Sequence, residues 1–254
     1  MVKNKFNTIR TLLFISIFFI LNSILYIAHA TIRYVSTTGS STPPYTTWET
    51  AADSIQKCID FSVDGDTIIV ANGVYYESLI VDKYLWLIGS SMDSTIIDGT
   101  GLSNKTVDGQ SDHRITNFTI IGKERVELSA TVMAFSGYNV FINDCRIYQA
   151  GIGIFMGRSS GKIENIIISD CNNGIQTFCA QDTCHPGITN SIIIIESAGG
   201  FPTAIDIFDG GNPTISNNIL IGDLGATYGI GISFFVKSMI IKNNIVSGFI
   251  LNNI

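Results

Sequence analysis

The chain has 254 residues, 21 acidic against 15 basic side chains, and a net charge of −6. Acidic surfaces with scattered Lys and Arg repel phosphate backbones, which excludes nucleic acid as a partner and is compatible with divalent cations. Five cysteines are too few for a disulfide scaffold, and a hydrophobic content of 46% is enough for one large core.

Residues 1–30 read as an export signal. Lys3, Lys5 and Arg10 give a positive start, an apolar run follows from Leu12 to Ile27, and Ala28-His29-Ala30 forms a small-x-small cleavage site. A membrane anchor would want about 20 apolar residues; Ser16, Asn22 and Ser23 interrupt this run. The mature chain is expected to begin at Thr31, to be secreted or held at the cell surface, and to carry no later membrane span.

Residues 31–63 are expected to form an N-terminal strand and a capping helix. Thr46-x-x-Glu49 reads as a capping box opening a helix through Phe61, with Ile55, Cys58 and Ile59 on one face. Strand-like runs follow at Thr67–Val70, Leu79–Val81, Leu85–Ile88 and Thr95–Ile97.

From residue 115 onward a repeat dominates. Ile-x-Asn/Asp-x-x-apolar occurs at Ile115/Asn117/Ile120, Ile142/Asp144/Ile147 and Ile163/Asn165/Ile168. It returns at Ile188/Asn190/Ile193, Ile215/Asn217/Leu220 and Ile241/Asn243/Val246. A second β-branched run follows most copies, at 151–155, 174–178, 204–208 and 229–233. The period of about 25 residues suits either a leucine-rich repeat or a parallel β-helix. Isoleucine, not leucine, occupies the apolar positions, so residues 64–254 are expected to form a right-handed parallel β-helix. Isoleucines stack inside, and asparagine amides stack at a turn and bond from coil to coil. The last coil is unfinished at Ile254, which reads as a truncated C-terminus.

Several segments resemble the pectin-lyase-like β-helix superfamily. They are Tyr34-Val35-Ser36, Trp48, Ile55-Gln56, Gly65-Asp66-Thr67-Ile68-Ile69-Val70, Gly73-Val74-Tyr75-Tyr76-Glu77, Leu85-Trp86-Leu87-Ile88-Gly89 and Thr95-Ile96-Ile97-Asp98-Gly99. The resemblance is specific for fold, because the superfamily holds lyases, hydrolases, esterases, adhesins and non-catalytic proteins. Within it, Gly73-Val74-Tyr75-Tyr76-Glu77, Gln181-Asp182-Thr183 and Asp206-Ile207-Phe208 are similar to pectinesterase motifs. That likeness implies Asp206 as nucleophile and Asp182 as acid/base, a pair of carboxylates on adjacent coils with an orienting arginine. The family's Gln-Ala-Val-Ala-Leu and Leu-Gly-Arg-Pro-Trp motifs are absent. In the repeat register Gln176 takes the position below Asp206, leaving Asp182 in the loop between Cys179 and Cys184.

Period-2 alternation turns Ile154, Ile175, Ile205 and Ile207 inward, and Phe155, Gln176, Asp206 and Ser233 outward as a sugar-contact row. A lyase would instead use Asp206, Asp209 and Asp182 to hold Ca²⁺, with Arg158 or Lys237 supplying the basic side chain that, in its uncharged form, removes a proton. Cys179 and Cys184 flank one short stretch and could close a disulfide loop or remain buried thiols. His113 and His185 read as loop residues. The leading expectation is an exported β-helix that binds or processes polysaccharide or a cell-surface glycan. The alternatives are a non-catalytic structural or adhesive surface module, and a fragment of a pectinesterase-like or lyase enzyme.

Overall fold

The computed structural model describes residues 14, 16, 30–102, 104–123, 131–135, 139–179, 184–196, 201–208, 210–223, 225–233, 236 and 238–250. The chain divides into two compact units, Met1–Ala30 and Thr31–Ile254. In the first, Phe14 and Ser16 are helical. No helix among the described residues is long and apolar enough to cross a membrane.

The second unit is a stack of coils. Its first face is a nine-stranded sheet running from Ile32–Val35 to Ile240–Lys242. A thirteen-stranded sheet supplies two further faces. They join through two long strands, Arg146–Gly157 and Ile167–Phe178. Each turns a corner where one residue adopts a left-handed conformation, Gln149 at φ 68° and Asp170 at φ 52°. The ladders are parallel throughout the described stack. Parallel crossovers in one sheet are right-handed in nearly all proteins. The result is the right-handed parallel β-helix that the repeat predicts.

The core is three columns of aliphatic side chains, one per face. Leu87, Ile115, Ile142, Ile163, Ile188 and Ile215 succeed one another on the first face. Ile97, Ile120, Ile147, Ile168, Ile193 and Leu220 do so on the second. Val107, Met133, Ile154, Ile175, Ile205 and Ile230 fill the third. All are buried. β-branched side chains with one stiff χ1 stack at the strand spacing with little loss of rotamer freedom, which is why isoleucine recurs.

The repeat asparagines turn the chain between the first and second faces. Asn117, Asp144, Asn165, Asn190, Asn217 and Asn243 all have positive φ, between 54° and 64°. Asn and Asp tolerate this region far better than other side-chain-bearing residues. The expected amide-to-amide ladder is present at only one step of this row, where Asn243 Nδ2 donates to Asn217 Oδ1 at 3.3 Å. Elsewhere Asn165 donates to Asp144, and Asn190 to Glu164. Conformation, rather than a continuous amide ladder, is the common property of the six.

A second amide pair, Asn218 and the half-buried Asn244, lies one residue on. Asn218, 0% exposed, accepts from the Ser191 backbone N–H and donates to the Ile188 carbonyl and to Asn244 Oδ1, each at 3.0 Å.

The capping helix is shorter than expected and starts later. Helix α1 spans Ile55–Phe61, with Ser54 rather than Thr46 as its N-cap. Glu77 reaches it from across the stack. Its carboxylate accepts from Ser54 Oγ (3.0 Å), Ile55 N (2.8 Å) and Gln56 N (2.9 Å). Glu49, the expected box partner, lies in a turn. Tyr75 is buried and donates its hydroxyl to the Ala71 carbonyl at 3.0 Å. The Gly73–Glu77 motif is therefore a device for fixing the capping helix.

Candidate functional site

The third face carries a groove of about 400 Å³ lined by Phe155, Gln176, Thr177, Phe178, Asp206 and Phe208. Its floor follows from register. Phe155 pairs with Gln176, Gln176 with Asp206, and Asp206 with Gly231. One coil-to-coil row thus presents an aromatic ring, an amide and a carboxylate. Ser233, expected at the end of this row, instead follows Phe208 in the neighbouring one. Alternation fixes which way a side chain points but cannot distinguish residues two apart.

Phe178 and Phe208 form the groove's second row. Their rings stack at 6.0 Å between centroids with 28° between planes, and Phe208 remains 42% exposed. Sequence alternation marks both as outward but gives no reason to separate them from other outward aromatics. Asp108 lies further along the Gln176 row, two coils before Phe155 through Ala134, and is paired with Lys105 at 3.0 Å.

Asp206 is half-buried between these rows. Burial holds its carboxyl above the usual carboxylate range, and the hydrogen bond from Gln176 opposes that shift. The bond is long, at 3.4 Å. A carboxyl raised by desolvation, lying in a groove, marks a functional candidate.

The other expected site residues are placed as follows. Arg158 follows the third-face strand in a left-handed conformation, φ 54°. Its backbone N–H donates to the Phe178 carbonyl at 2.7 Å, its side chain is exposed, and it does not line the groove. Asp182, Asp209 and Lys237 lie outside the described residues. Asp206 is therefore the described member of the expected calcium trio. Among the described residues no three acidic, His or Cys side chains gather to hold a metal.

Cys179 and Cys184 are joined by a disulfide, with Cα atoms 5.8 Å apart. The bridge ties Cys179, the residue after the groove residue Phe178, to Cys184. Gly211, at φ +85°, packs against it so closely that a Cβ would meet Cys179 Sγ at 3.3 Å. Cys58, Cys145 and Cys171 are buried thiols.

His185 is a loop residue, but His113 is not. It opens the strand His113–Thr116, is 1% exposed, and packs on Phe135 at 4.9 Å between centroids. Neither ring nitrogen has a hydrogen-bond partner among the described residues. Burial pushes its pKa down to about 4, against weaker opposing pulls from the Ser111 backbone and Asp112.

No protein-family model matches the chain, and no curated protein does. Solved structures do. A pectin methylesterase from carrot superposes with a TM-score of 0.61 at 13% identity, over 87% of this chain and 84% of that one. Pectin methylesterase PemA from Erwinia chrysanthemi gives a TM-score of 0.52 at 16% identity, over 77% and 67%. A pectin methylesterase solved in complex with a hexasaccharide gives 0.52 at 17%, over 77% and 67%. The fold is a parallel β-helix like theirs. At these identities the likeness establishes architecture and leaves chemistry to the residues of the groove.

Among the described residues, the groove carries Asp206 with the amide of Gln176, not a second carboxylate, on the adjacent coil. Asp182, the acid/base that the likeness to pectinesterases implies, lies outside the described residues. An amide cannot give and retake a proton near neutral pH.

Proposed function

We propose that this β-helix binds an extended polysaccharide along its third face, with Phe178 and Phe208 as a stacking shelf and Gln176 and Asp206 as hydrogen-bonding partners. The observation that carries this reading is the groove itself. Three of its six lining residues are aromatic, with one amide and one perturbed carboxyl beside them, the composition of a site that orients a ligand by a few polar contacts. Similarity to pectin methylesterases, one of them solved with a hexasaccharide, supports a glycan of the pectin class as the first ligand to test. Gln176 and Gly231, not a second acid, flank Asp206 on the adjacent coils, which favours binding over ester hydrolysis. Export to the cell exterior accords with such a ligand.

The test uses the purified protein with pectate, methylated pectin, alginate and chondroitin. Affinity electrophoresis is expected to show retardation by at least one of them. Phe178→Ala is expected to weaken that binding about tenfold, the equivalent of ~1.4 kcal/mol. Release of methanol, unsaturated ends or reducing sugar would make the protein an enzyme. Absence of binding to any glycan would favour the structural or adhesive module.

A further inference from the structure

We propose that the Ala30–Thr31 bond is cut during export and that the new Thr31 ammonium docks on the buried carboxylate of Asp66. Three independent observations converge there. Ala28-His29-Ala30 offers small residues at both positions an export peptidase reads. The boundary between the two compact units falls between Ala30 and Thr31. The Thr31 nitrogen already sits 2.7 Å from Asp66 Oδ1 as an amide donor.

The seat is built before cleavage. Asp66 is 0% exposed. Its other oxygen accepts from Arg33 Nε at 2.7 Å and from the Val63 N–H at 3.0 Å. Arg33 is itself fixed, donating to the Pro44 carbonyl at 2.7 Å and lying over the Phe61 ring at 4.9 Å. Thr31 is tied down by its own carbonyl, which accepts from Thr67 N at 2.9 Å, and by the strand that follows it. The nitrogen therefore stays in place whichever group it belongs to.

Hydrolysis adds one water across the bond. Ala30 departs with a carboxylate, and the Thr31 nitrogen keeps its hydrogen and gains protons to become an ammonium. No oxidant or reductant is involved. The single amide donor becomes a charged group with three donors, facing a carboxylate whose solvent has already been removed. A charge-assisted hydrogen bond replaces a neutral donor at the same site. Maturation thus tightens the first strand against the turn that opens the first complete coil.

The full-length chain is produced in a secreting host and recovered from the exterior. Intact mass and N-terminal sequencing are expected to give Thr31 as the first residue. A brief acylation at neutral pH is expected to label the Thr31 amine at least about tenfold more slowly in the folded protein than in denaturant. Asp66→Asn is expected to remove that protection. Because this variant could fail to fold, a second chain carries one glycine inserted between Ala30 and Thr31. Its amine is carried one residue past the carboxylate and is expected to label rapidly while the fold persists. A different first residue in the unmodified chain, an uncut chain, or a terminal amine equally reactive with and without the inserted glycine overturns the proposal.

Discussion

At Asp206 the polar chemistry of the groove converges on one titratable group. Its carboxyl is raised by burial, so it takes up a proton at higher pH than an exposed aspartate. For a polyuronate ligand, binding is then expected to strengthen as pH falls from neutral into the range where Asp206 becomes uncharged. Asp206→Asn is expected to abolish that dependence, as measured by calorimetric titration across pH. His113 behaves oppositely toward acid. Its folded pKa, near 4, lies below the ~6.5 of an unfolded chain. Stability is intact above the unfolded value and is lost as pH falls toward 4. Thermal melts between these limits are expected to lose up to about 3 kcal/mol, and His113→Leu to flatten the profile. Gln176 beside Asp206 was legible in the repeat, because aligned copies set equivalent positions on successive coils. The burial of His113 was legible but missed: Ile115 of the first repeat copy faces inward, and alternation turns His113, two residues earlier, the same way.

The turns and the helix cap show where local patterns suffice and where they fail. The repeat Asn and Asp positions were visible in sequence, and their left-handed conformation gives that visibility a cause. Replacing Asn217 with Val is expected to cost about 1–2 kcal/mol in chemical denaturation, while Asn217→Gly should cost much less. The start of helix α1 was misread for a physical reason. Thr46 and Glu49 have the spacing of a capping box, but the helix is capped from 22 residues away by the Glu77 carboxylate on the Ile55 N–H. No window of local sequence contains both partners. Glu77→Ala is expected to destabilise the protein by about 1–3 kcal/mol, with Glu77→Gln retaining part of the loss. The same contacts give the Gly73–Glu77 segment a structural role away from the groove.

Across the whole molecule, stability is distributed along the stack. Each coil touches its two neighbours, so free energy adds as internal and nearest-neighbour contributions. Removing one column member interrupts both adjacent interfaces. Ile168→Ala, between Ile147 and Ile193, is expected to cost about 2–5 kcal/mol. Hydrogen exchange should show the loss first in the coils on either side. The architecture was readable from the isoleucine period because every coil repeats the same burial problem. The groove was less readable, since it depends on which outward residues fall side by side, and that is decided by ladder register.

Coil length varies more than the ladders suggest. One turn of the helix takes 21 residues between Asp144 and Asn165, and another takes 30 between Gln176 and Asp206. Yet both steps join neighbouring strands. The surplus falls between paired strands, and the Cys179–Cys184 disulfide bridges one part of it. Insertions and deletions there can change the length of a coil without shifting any column. Length variation and the inward ladder are thereby written in separate stretches of the chain, and a lineage can change one while leaving the other untouched.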